Sequence, residues 1–452
     1  MLIDRVKELS KFGEIVAGDK KEYLVVDKIK EFFEENKLQT YIYPQKVLNW
    51  EVREIEVECE GKKLEAVAMP YSPSIDTETV NYKVIKLNNL FEINKYYRLY
   101  KDKLIIFTLD NYMRKFVLNN GKLLSHLPQP PPDVPAFYIR EKDISNIRGI
   151  CRFYLKSEFK ESTGYTIEAI QPGRSEEKIY ITAHHDHWFS GEHDDLISVS
   201  MLTELRSNNY ELHLISFTAK ESGCFFSSFS WSCGSFYYLK NKKIENTQLV
   251  ISLDNVTQTA KYYVTPGLSK YFPVTDSILS PSAYSDSYNF LKLGIPTVTI
   301  SDMSYPYYHS EADIVGNNEN FEHIIKFINS NILNNKIQVN IDELKNNVIK
   351  LKLPSELKAL ALNLIEKRKY NELLKFYGSI LDFNTIVTET HLFHKIVGLQ
   401  KAYEESYVAI EDFGEFINLC ENEECKKNRE KYISYLLNII SAEYISELKN
   451  LF

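Results

Sequence analysis

Two helical stretches and a series of short strands account for the first third of the chain. Apolar side chains recur at helical spacing at Val6 and Leu9, and again between residues 23 and 38. We therefore predict N-terminal helices over residues 1–47. From residue 48 to residue 155 the pattern changes to alternating runs that are typical of β-strands: REIEVEC, KLEAVAM, DKLIIFTL and VPAFYI. The pattern over residues 48–155 predicts one β-rich domain inserted before the main sheet.

Residues 156–335 alternate apolar, strand-like runs with helical segments. The candidate strands are EKIYITA, ELHLISFT, TQLVISL and IPTVTIS. The candidate helices between them are LISVSMLTEL and SDSYNFLKL. This alternation predicts an α/β fold with a mostly parallel central sheet flanked by helices. Residues 336–452 contain amphipathic segments without strand patterns, and we predict an all-helical C-terminal region there.

Composition and charge narrow the class of protein. Hydrophobic residues make up 44% of the 452 residues, which is ordinary for a globular chain of roughly two to four domains. The net charge of −8 argues against a nucleic-acid-binding surface. No apolar run approaches the roughly 18 residues that a membrane span needs, and the first residues lack the apolar core of a signal peptide. We therefore predict a cytoplasmic protein with no nucleic-acid or membrane partner.

The six cysteines are scattered along the chain. Cys420 and Cys425 lie closest together, and they could pair or bind a metal ion. No nearby histidine or further cysteine completes a zinc site around them. The simplest interpretation is that all six are free thiols in a reducing compartment.

Polar side chains of the metal-binding type follow each strand of the predicted parallel sheet. His184 follows the first strand, Glu221 the second and Asp254 the third, while His309 follows the fourth after a tyrosine-rich loop. Asp194 begins the helix between the first two strands. The carboxyl ends of parallel strands meet at one edge of a sheet, so these side chains should converge. Two imidazoles and three carboxylates suit two zinc ions about 3.5–4 Å apart, bridged by one carboxylate.

Each of these residues also has a structural interpretation when it is considered alone. Asp194 or its neighbour Asp195 could be the N-cap of a helix. Asp254 could cap a turn, and His309 could be a surface histidine. The occurrence of all of them in order at successive strand ends favours metal binding.

The order and spacing resemble the co-catalytic zinc exopeptidase family that includes bacterial leucyl aminopeptidase, glutamate carboxypeptidase II and glutaminyl cyclase. The matching motifs are His184-His185-Asp186, Gly191-Glu192-His193-Asp194, Lys220-Glu221-Ser222-Gly223, Asp254 and Tyr308-His309. The resemblance implies aminopeptidase-type hydrolysis with zinc as cofactor. Residues 48–155 are similar to the protease-associated insert of several members.

The resemblance also implies a role for each ligand. His184 and Asp254 would bind one zinc ion, and Glu221 and His309 would bind the other. Asp194 would bridge the two ions.

Two further residues have implied roles near the metals. Asp186 would orient the first histidine ligand from behind, which fixes its tautomer. Tyr308 would contact the reacting carbonyl of a peptide substrate, although packing of its ring beneath the loop is an equal alternative. Tyr305 and Tyr307 crowd the same approach.

Lys220 is the departure from the family pattern, because the first glutamate of that motif is the general base in the family. Several interpretations compete. The lysine could be an ammonium bound to Glu221, Asp194 or Asp254. Zinc could instead depress its pKa and leave a neutral amine that acts as the base. It could also mark a non-catalytic relative, or simply extend into solvent.

The remaining acidic and basic groups near the motif offer substitutes for the base. Glu192, His193 and Asp195 are the candidates, and the sequence alone does not place them. Loss of a general base typically costs about 10²–10⁴-fold in rate and need not abolish a zinc-dependent reaction.

Two functions therefore remain. The first is a zinc-dependent aminopeptidase that removes N-terminal residues from peptides; the alternative is a catalytically weak or inactive homologue that binds peptides or partners. Aminoacyl cyclisation, as in glutaminyl cyclase, also needs the missing glutamate. The ligands predict two zinc sites, and an ammonium at Lys220 would leave one or none. Self-association into a homo-oligomer, for example through the helical tail, stays open.

Overall fold

The computed structural model of the chain describes most of the first 375 residues. The described residues are 2–93, 96–97, 100, 102–118, 132–224, 232–279, 281–282, 284–350 and 355–375. The part of the predicted helical region beyond residue 375, with Cys420 and Cys425, lies outside the described residues.

Helices and strands follow one another along the described part of the chain. The α-helices are α1 (Leu2–Ser10), α2 (Lys20–Glu35), α3 (Ile197–Leu202), α4 (Cys233–Asn241), α5 (Ser287–Leu291), α6 (Glu322–Phe327), α7 (Ile341–Lys350) and α8 (Ser355–Glu366). The strands are β1 (Gln39–Cys59), β2 (Lys62–Leu64), β3 (Val67–Ala68), β4 (Ile75–Thr79), β5 (Tyr82–Lys86), β6 (Leu104–Thr108), β7 (Ala136–Tyr138), β8 (Cys151–Gln171), β9 (Lys178–His184), β10 (Glu211–Phe217), β11 (Thr247–Leu253), β12 (Lys261–Val264), β13 (Ser277–Ile278) and β14 (Thr297–Ser301).

Helix α2 shows how a local pattern becomes packing. Asp19 is its N-cap, and the Asp19 carboxylate accepts a hydrogen bond from the backbone N–H of Lys21 at 3.0 Å. Val25, Ile29 and Phe33 recur on one face and are buried in the main hydrophobic core. Among the described helices, none is long and apolar enough to cross a membrane.

A ten-stranded mixed sheet forms the centre of the structure. Its order is β13–β12–β14–β11–β9–β10–β8–β1–β2, and β4 pairs with β8. The four central strands, β14, β11, β9 and β10, are parallel to one another. Almost every residue of these strands is buried, as expected for parallel strands that are covered on both faces. The predicted α/β fold with a central sheet flanked by helices is confirmed, and its parallel part is the set of four central strands.

Strands β1 and β8 are each 21 residues long and continue beyond the main sheet as an antiparallel ribbon. The predicted domain boundaries fall inside these two strands, so the division into domains stays a prediction. Residues 39–47, which we assigned to the N-terminal helices, are β-strand. Residues 39–46 are exposed or half-buried on both faces of β1. Because strand prediction depends on one buried face, a ribbon of this kind has little signal in the sequence.

A smaller sheet of four strands, in the order β3–β7–β6–β5, lies within residues 48–155. Strands β5, β6 and β7 are parallel, and β3 is antiparallel to β7. Phe137 on β7 packs against Phe153 on the ribbon, with ring centroids 5.5 Å apart. The β-rich character predicted for this block is therefore present, and its similarity to a protease-associated insert stays a prediction.

The described cysteines form two disulfide bonds, Cys59–Cys151 and Cys224–Cys233. The first joins the two strands of the ribbon, where the register places Cys59 opposite Cys151. The prediction of free thiols is wrong for these four cysteines. For Cys59 and Cys151, only the strand register brings residues 92 positions apart into contact. Disulfides persist mainly in oxidising compartments, so the predicted cytoplasmic location loses the support that free thiols gave it.

Removing the Cys59–Cys151 bond should lower the free energy of unfolding. For the double variant Cys59→Ser/Cys151→Ser we expect a loss of roughly 3–5 kcal/mol, because a long loop is no longer closed in the unfolded chain. Urea unfolding of the oxidised wild type and the variant measures this difference. Alkylation of both thiols in native, unreduced wild type would contradict the bond itself.

Candidate metal centre

The carboxyl ends of the central strands position most of the candidate ligands. Strand β9 ends at His184, and Asp254 comes directly after β11. Glu221 follows β10 by a short turn, while His309 lies on the loop after β14. Because β9, β10 and β11 are parallel, their ends share one edge of the sheet, where α/β folds form their sites.

The five candidate ligands form two groups that share Asp194. In the first group, His184 Nε2 lies 3.3 Å from Asp194 Oδ1 and 4.0 Å from Asp254 Oδ1. In the second, His309 Nε2 lies 3.1 Å from both Asp194 Oδ2 and Glu221 Oε2. The ligand atoms of each group lie within 4.8 Å of one another, and every member is buried. The structure thus brings together all five residues that the sequence predicted, with one Asp194 oxygen directed to each group.

Several of these atoms are buried without a hydrogen bond. They are His184 Nε2, both carboxylate oxygens of Asp194, and His309 Nε2. An unsatisfied buried polar atom costs about 1–3 kcal/mol, so such atoms rarely cluster without a further partner. Imidazole nitrogens and carboxylate oxygens are the atoms that zinc binds in proteins. The residues present therefore fit a pair of zinc ions.

Backbone carbonyls orient both histidine rings. His184 Nδ1 donates to the carbonyl of Asp186 at 3.0 Å, and His309 Nδ1 donates to the carbonyl of Lys115 at 3.0 Å. With Nδ1 protonated, each ring presents Nε2 to the centre. Asp186 was predicted to orient His184, and it does so mainly through its backbone, since its carboxylate Oδ1 lies 3.9 Å from Nδ1.

The Asp186 carboxylate instead shapes the turn after β10. It accepts hydrogen bonds from the backbone N–H groups of Lys220, Glu221 and Ser222 at 2.9, 2.9 and 3.0 Å. Three donors converging on one carboxylate make the turn rigid, which places the side chains of residues 220 and 221 at the centre.

Residues 166–329 match the model of peptidase family M28. The matched segment contains all five converging residues, and the predicted resemblance to a co-catalytic zinc aminopeptidase family is confirmed. A search of the curated proteins found no match to the sequence.

Two solved structures are similar in fold to the matched segment and its surroundings. A peptidase M28 precursor from Shewanella amazonensis has a TM-score of 0.56 and 14% identity, over 75% of this chain and 94% of that one. A zinc aminopeptidase from Bacillus subtilis has a TM-score of 0.51 and 17% identity, over 69% of this chain and 88% of that one. At these identities the similarity establishes the fold alone.

Lys220, at the position of the missing base, lies inside the centre. Its side chain is 4% exposed, which excludes the interpretation that it extends into solvent. Lys220 Nζ lies 2.9 Å from Glu221 Oε1 and 3.2 Å from Asp254 Oδ2. Burial would lower the pKa of this lysine, but the charges of Asp254 and Glu221 outweigh burial and raise its pKa well above the ordinary value.

The neighbouring charges also shift the pKa of the ligands. Burial would raise the pKa of Glu221, yet the positive charges of Lys220 and His309 lower it to about 2. Burial would lower the pKa of His309, but Glu221 and Asp194 raise it to about 9. The group therefore behaves as a set of opposite charges that stabilise one another in a buried site.

The three candidate substitutes for the base are occupied elsewhere. Glu192 Oε2 accepts a hydrogen bond from the backbone of Val315 at 2.7 Å. His193 is held between two carboxylates, and Asp195 accepts from the backbone N–H of His184 at 3.1 Å. These contacts give all three a structural role beside the centre.

Asp313 is a functional neighbour whose role the sequence did not reveal. Its carboxylate accepts from the backbone N–H of Asp194 at 3.2 Å and from that of His193 at 3.0 Å. Asp313 is buried, and it fixes the turn that carries Asp194. Its position after His309 matches the later pattern of the family in sequence, but its contact with Asp194, 119 positions away, left no local signal.

A cleft of about 460 Å³ opens onto the centre. Its floor includes Lys220, Glu221, Asp254, Tyr308 and His309, and its apolar walls include Leu90, Phe116, Val117, Tyr284 and Met303. Leu90, Phe116 and Val117 belong to residues 48–155, the block that carries the smaller sheet. This small-sheet block therefore contributes one wall of the cleft.

Tyr308 lies against the second histidine of the centre. Its ring stacks on that of His309, with centroids 3.8 Å apart. Burial raises the pKa of Tyr308 well above its ordinary value, and the nearby charges of Glu221 and Asp194 add to this effect. The phenol therefore stays protonated at neutral pH.

Proposed function

We propose that this chain is a zinc-dependent metallohydrolase of the aminopeptidase type, which removes N-terminal residues from peptides. The observation that carries the proposal is the pair of buried ligand groups that share Asp194, at the floor of a cleft. The M28 match over residues 166–329 supports the peptidase class.

Each of the two groups of residues would hold one zinc ion. His184 and Asp254 would hold one zinc ion, Glu221 and His309 the other, and Asp194 would bridge them. Bound zinc supplies a Lewis acid that polarises the scissile carbonyl and lowers the pKa of the attacking water.

The other residues of the centre orient groups and hold protons. The backbone carbonyl of Asp186 keeps His184 in the tautomer that exposes Nε2. Tyr308 would donate its phenolic hydrogen bond to the carbonyl oxygen of the peptide. The apolar cleft walls suit a substrate whose first side chain is apolar, because burial of that side chain favours binding.

A second candidate function is a catalytically weak or inactive homologue that binds peptides or partners. The specific observation that favours it is the ion pairing of Lys220 with Glu221 and Asp254. A protonated lysine cannot accept the proton that a general base must accept, so this candidate keeps the cleft but loses most of the rate.

Zinc analysis combined with a substrate comparison tests the proposal. We expect wild-type protein at micromolar zinc to hold at most one zinc ion per chain and to hydrolyse leucine amide slowly. N-acetyl-leucine amide, which lacks the free amine, is the matched control and should not be hydrolysed. A chelator should abolish the activity and added zinc should restore it. Zinc binding without any hydrolysis favours the second candidate, and equal hydrolysis of both amides contradicts the aminopeptidase type.

A further inference from the structure

His309 lies on the loop after β14, whereas His184 ends β9 and Asp254 directly follows β11. Its backbone is in the left-handed region, with φ of 55°. A non-glycine residue keeps such a conformation only when surrounding contacts hold it there. The position of its Nε2 atom therefore depends on what contacts this loop.

A short segment, residues 113–115 of the block that carries the small sheet, pairs with this loop. The Lys115 N–H donates to the His309 carbonyl at 3.1 Å, and the Lys115 carbonyl accepts from His309 Nδ1 at 3.0 Å. Arg114 and Ser310 form an antiparallel bridge, and the Glu311 N–H donates to the carbonyl of residue 113 at 3.1 Å. The segment thus contacts both the backbone and the ring of the ligand.

Arg114 connects the same segment to the residues just before His309. Its Nη1 donates to the carbonyl of Tyr308 at 2.6 Å, and its Nη2 donates to the carbonyl of Pro306 at 2.6 Å. Its remaining donors bind the Asp110 carboxylate, at 3.1 Å from Nε and 2.5 Å from Nη2. Arg114 is only 3% exposed. A planar guanidinium can reach all three groups at once, which a lysine ammonium on a flexible stem cannot do.

Contacts with other parts of the fold hold the segment of residues 113–115 in place on both sides. Asp110 follows β6 and its carbonyl accepts from the Glu141 N–H at 2.8 Å. On the other side, Lys115 Nζ lies 2.6 Å from Glu14 Oε2 and above the ring of Phe189. Movement of the loop would therefore require the loss of contacts in three separate parts of the fold.

We infer that Arg114 is a positioning residue for the His309 half of the metal centre. By holding the loop carbonyls of residues 306 and 308, it places His309 Nε2 within reach of Asp194 and Glu221. This inference rests on the proposed zinc function. The small-sheet block, whose similarity to a protease-associated insert is a prediction, would then take part in binding the metal as well as lining the cleft.

The variant Arg114→Lys tests this inference, with Arg5→Lys as the matched control. Arg5 is also a buried arginine, at 6% exposure, and it binds Glu204, which lies just after helix α3. Zinc affinity is measured by chelator competition in wild type and in a Lys220→Glu background. For Arg114→Lys we expect zinc affinity to fall about 10–100-fold, as is typical when a group supporting a metal ligand is lost. Arg5→Lys should leave zinc affinity unchanged.

Amide hydrogen exchange of the zinc-free proteins gives a second, metal-independent readout. Protection of the Lys115 and Glu311 amides should fall roughly tenfold or more in Arg114→Lys, because two charge-assisted hydrogen bonds to the loop are lost. Unchanged protection of these amides, or lost protection with unchanged zinc affinity, overturns the inference. If no variant binds zinc, the proposed function fails, and the exchange data alone decide whether Arg114 holds the loop.

Discussion

Replacement of Lys220 by glutamate is expected to raise the rate of leucine amide hydrolysis by roughly 10²–10⁴-fold, the usual contribution of a general base. The lysine ammonium lies between Glu221 and Asp254, which are proposed ligands of different zinc ions. A positive charge at this position opposes the binding of a second dication. The zinc content should therefore rise together with kcat/KM, and both are measured on the purified variant.

The variant Lys220→Met separates the two effects of that substitution. Methionine is similar in length to lysine but has neither the charge nor a basic group. We expect it to raise the zinc content while its turnover stays well below that of Lys220→Glu. Wild-type turnover at ordinary aminopeptidase rates, reduced by both substitutions, would instead show that a neutral lysine acts as the base.

In the Lys220→Glu background, replacement of Asp194 by asparagine is expected to remove zinc from both sites. Its two carboxylate oxygens face different histidines, at 3.3 Å from His184 Nε2 and 3.1 Å from His309 Nε2. Asparagine has the same shape but no negative charge, and it offers only one acceptor oxygen. We expect kcat/KM in the Lys220→Glu background to fall by roughly 10³-fold or more, which corresponds to about 4 kcal/mol of lost transition-state stabilisation.

The variant Asp254→Asn, in the same Lys220→Glu background, is the comparison for this experiment. Asp254 belongs only to the group that contains His184 and not to the group of His309. Its loss should therefore remove one zinc ion and leave the other. Zinc content by elemental analysis and unfolding midpoints by circular dichroism are measured for both variants. Retention of two zinc ions by Asp194→Asn would exclude a bridging role for this residue.

Much of the core was predictable from the sequence because its signals are local. The parallel strands are short apolar runs, and strand β9 was predicted within one residue of its observed start, Lys178. The order His184, Glu221, Asp254 along successive strand ends was sufficient to predict their convergence, since parallel strands place their carboxyl ends together. The helix that follows Asp194 was also predicted from a local signal, the helical spacing of its apolar residues.

The role of Lys220 was only partly predictable from the sequence. Its place in the motif identified the missing base, and the surrounding acids indicated an ammonium. The sequence did not decide which carboxylates it contacts, because that depends on the side-chain path within a buried turn. The structure selects Glu221 and Asp254 and excludes the solvent-exposed alternative.

By itself, the sequence predicted the fold class, the convergence of five candidate ligands and a lysine at the position of the family's general base, because each has a local pattern or a position in a motif. Only the tertiary structure decided how the ligands are held. The Arg114 contact with the loop before His309 spans 194 positions, and the Cys59–Cys151 bond spans 92. Such contacts follow from strand register and from the packing of separate units against each other. They leave no periodicity in either segment, so no pattern along the chain indicates them.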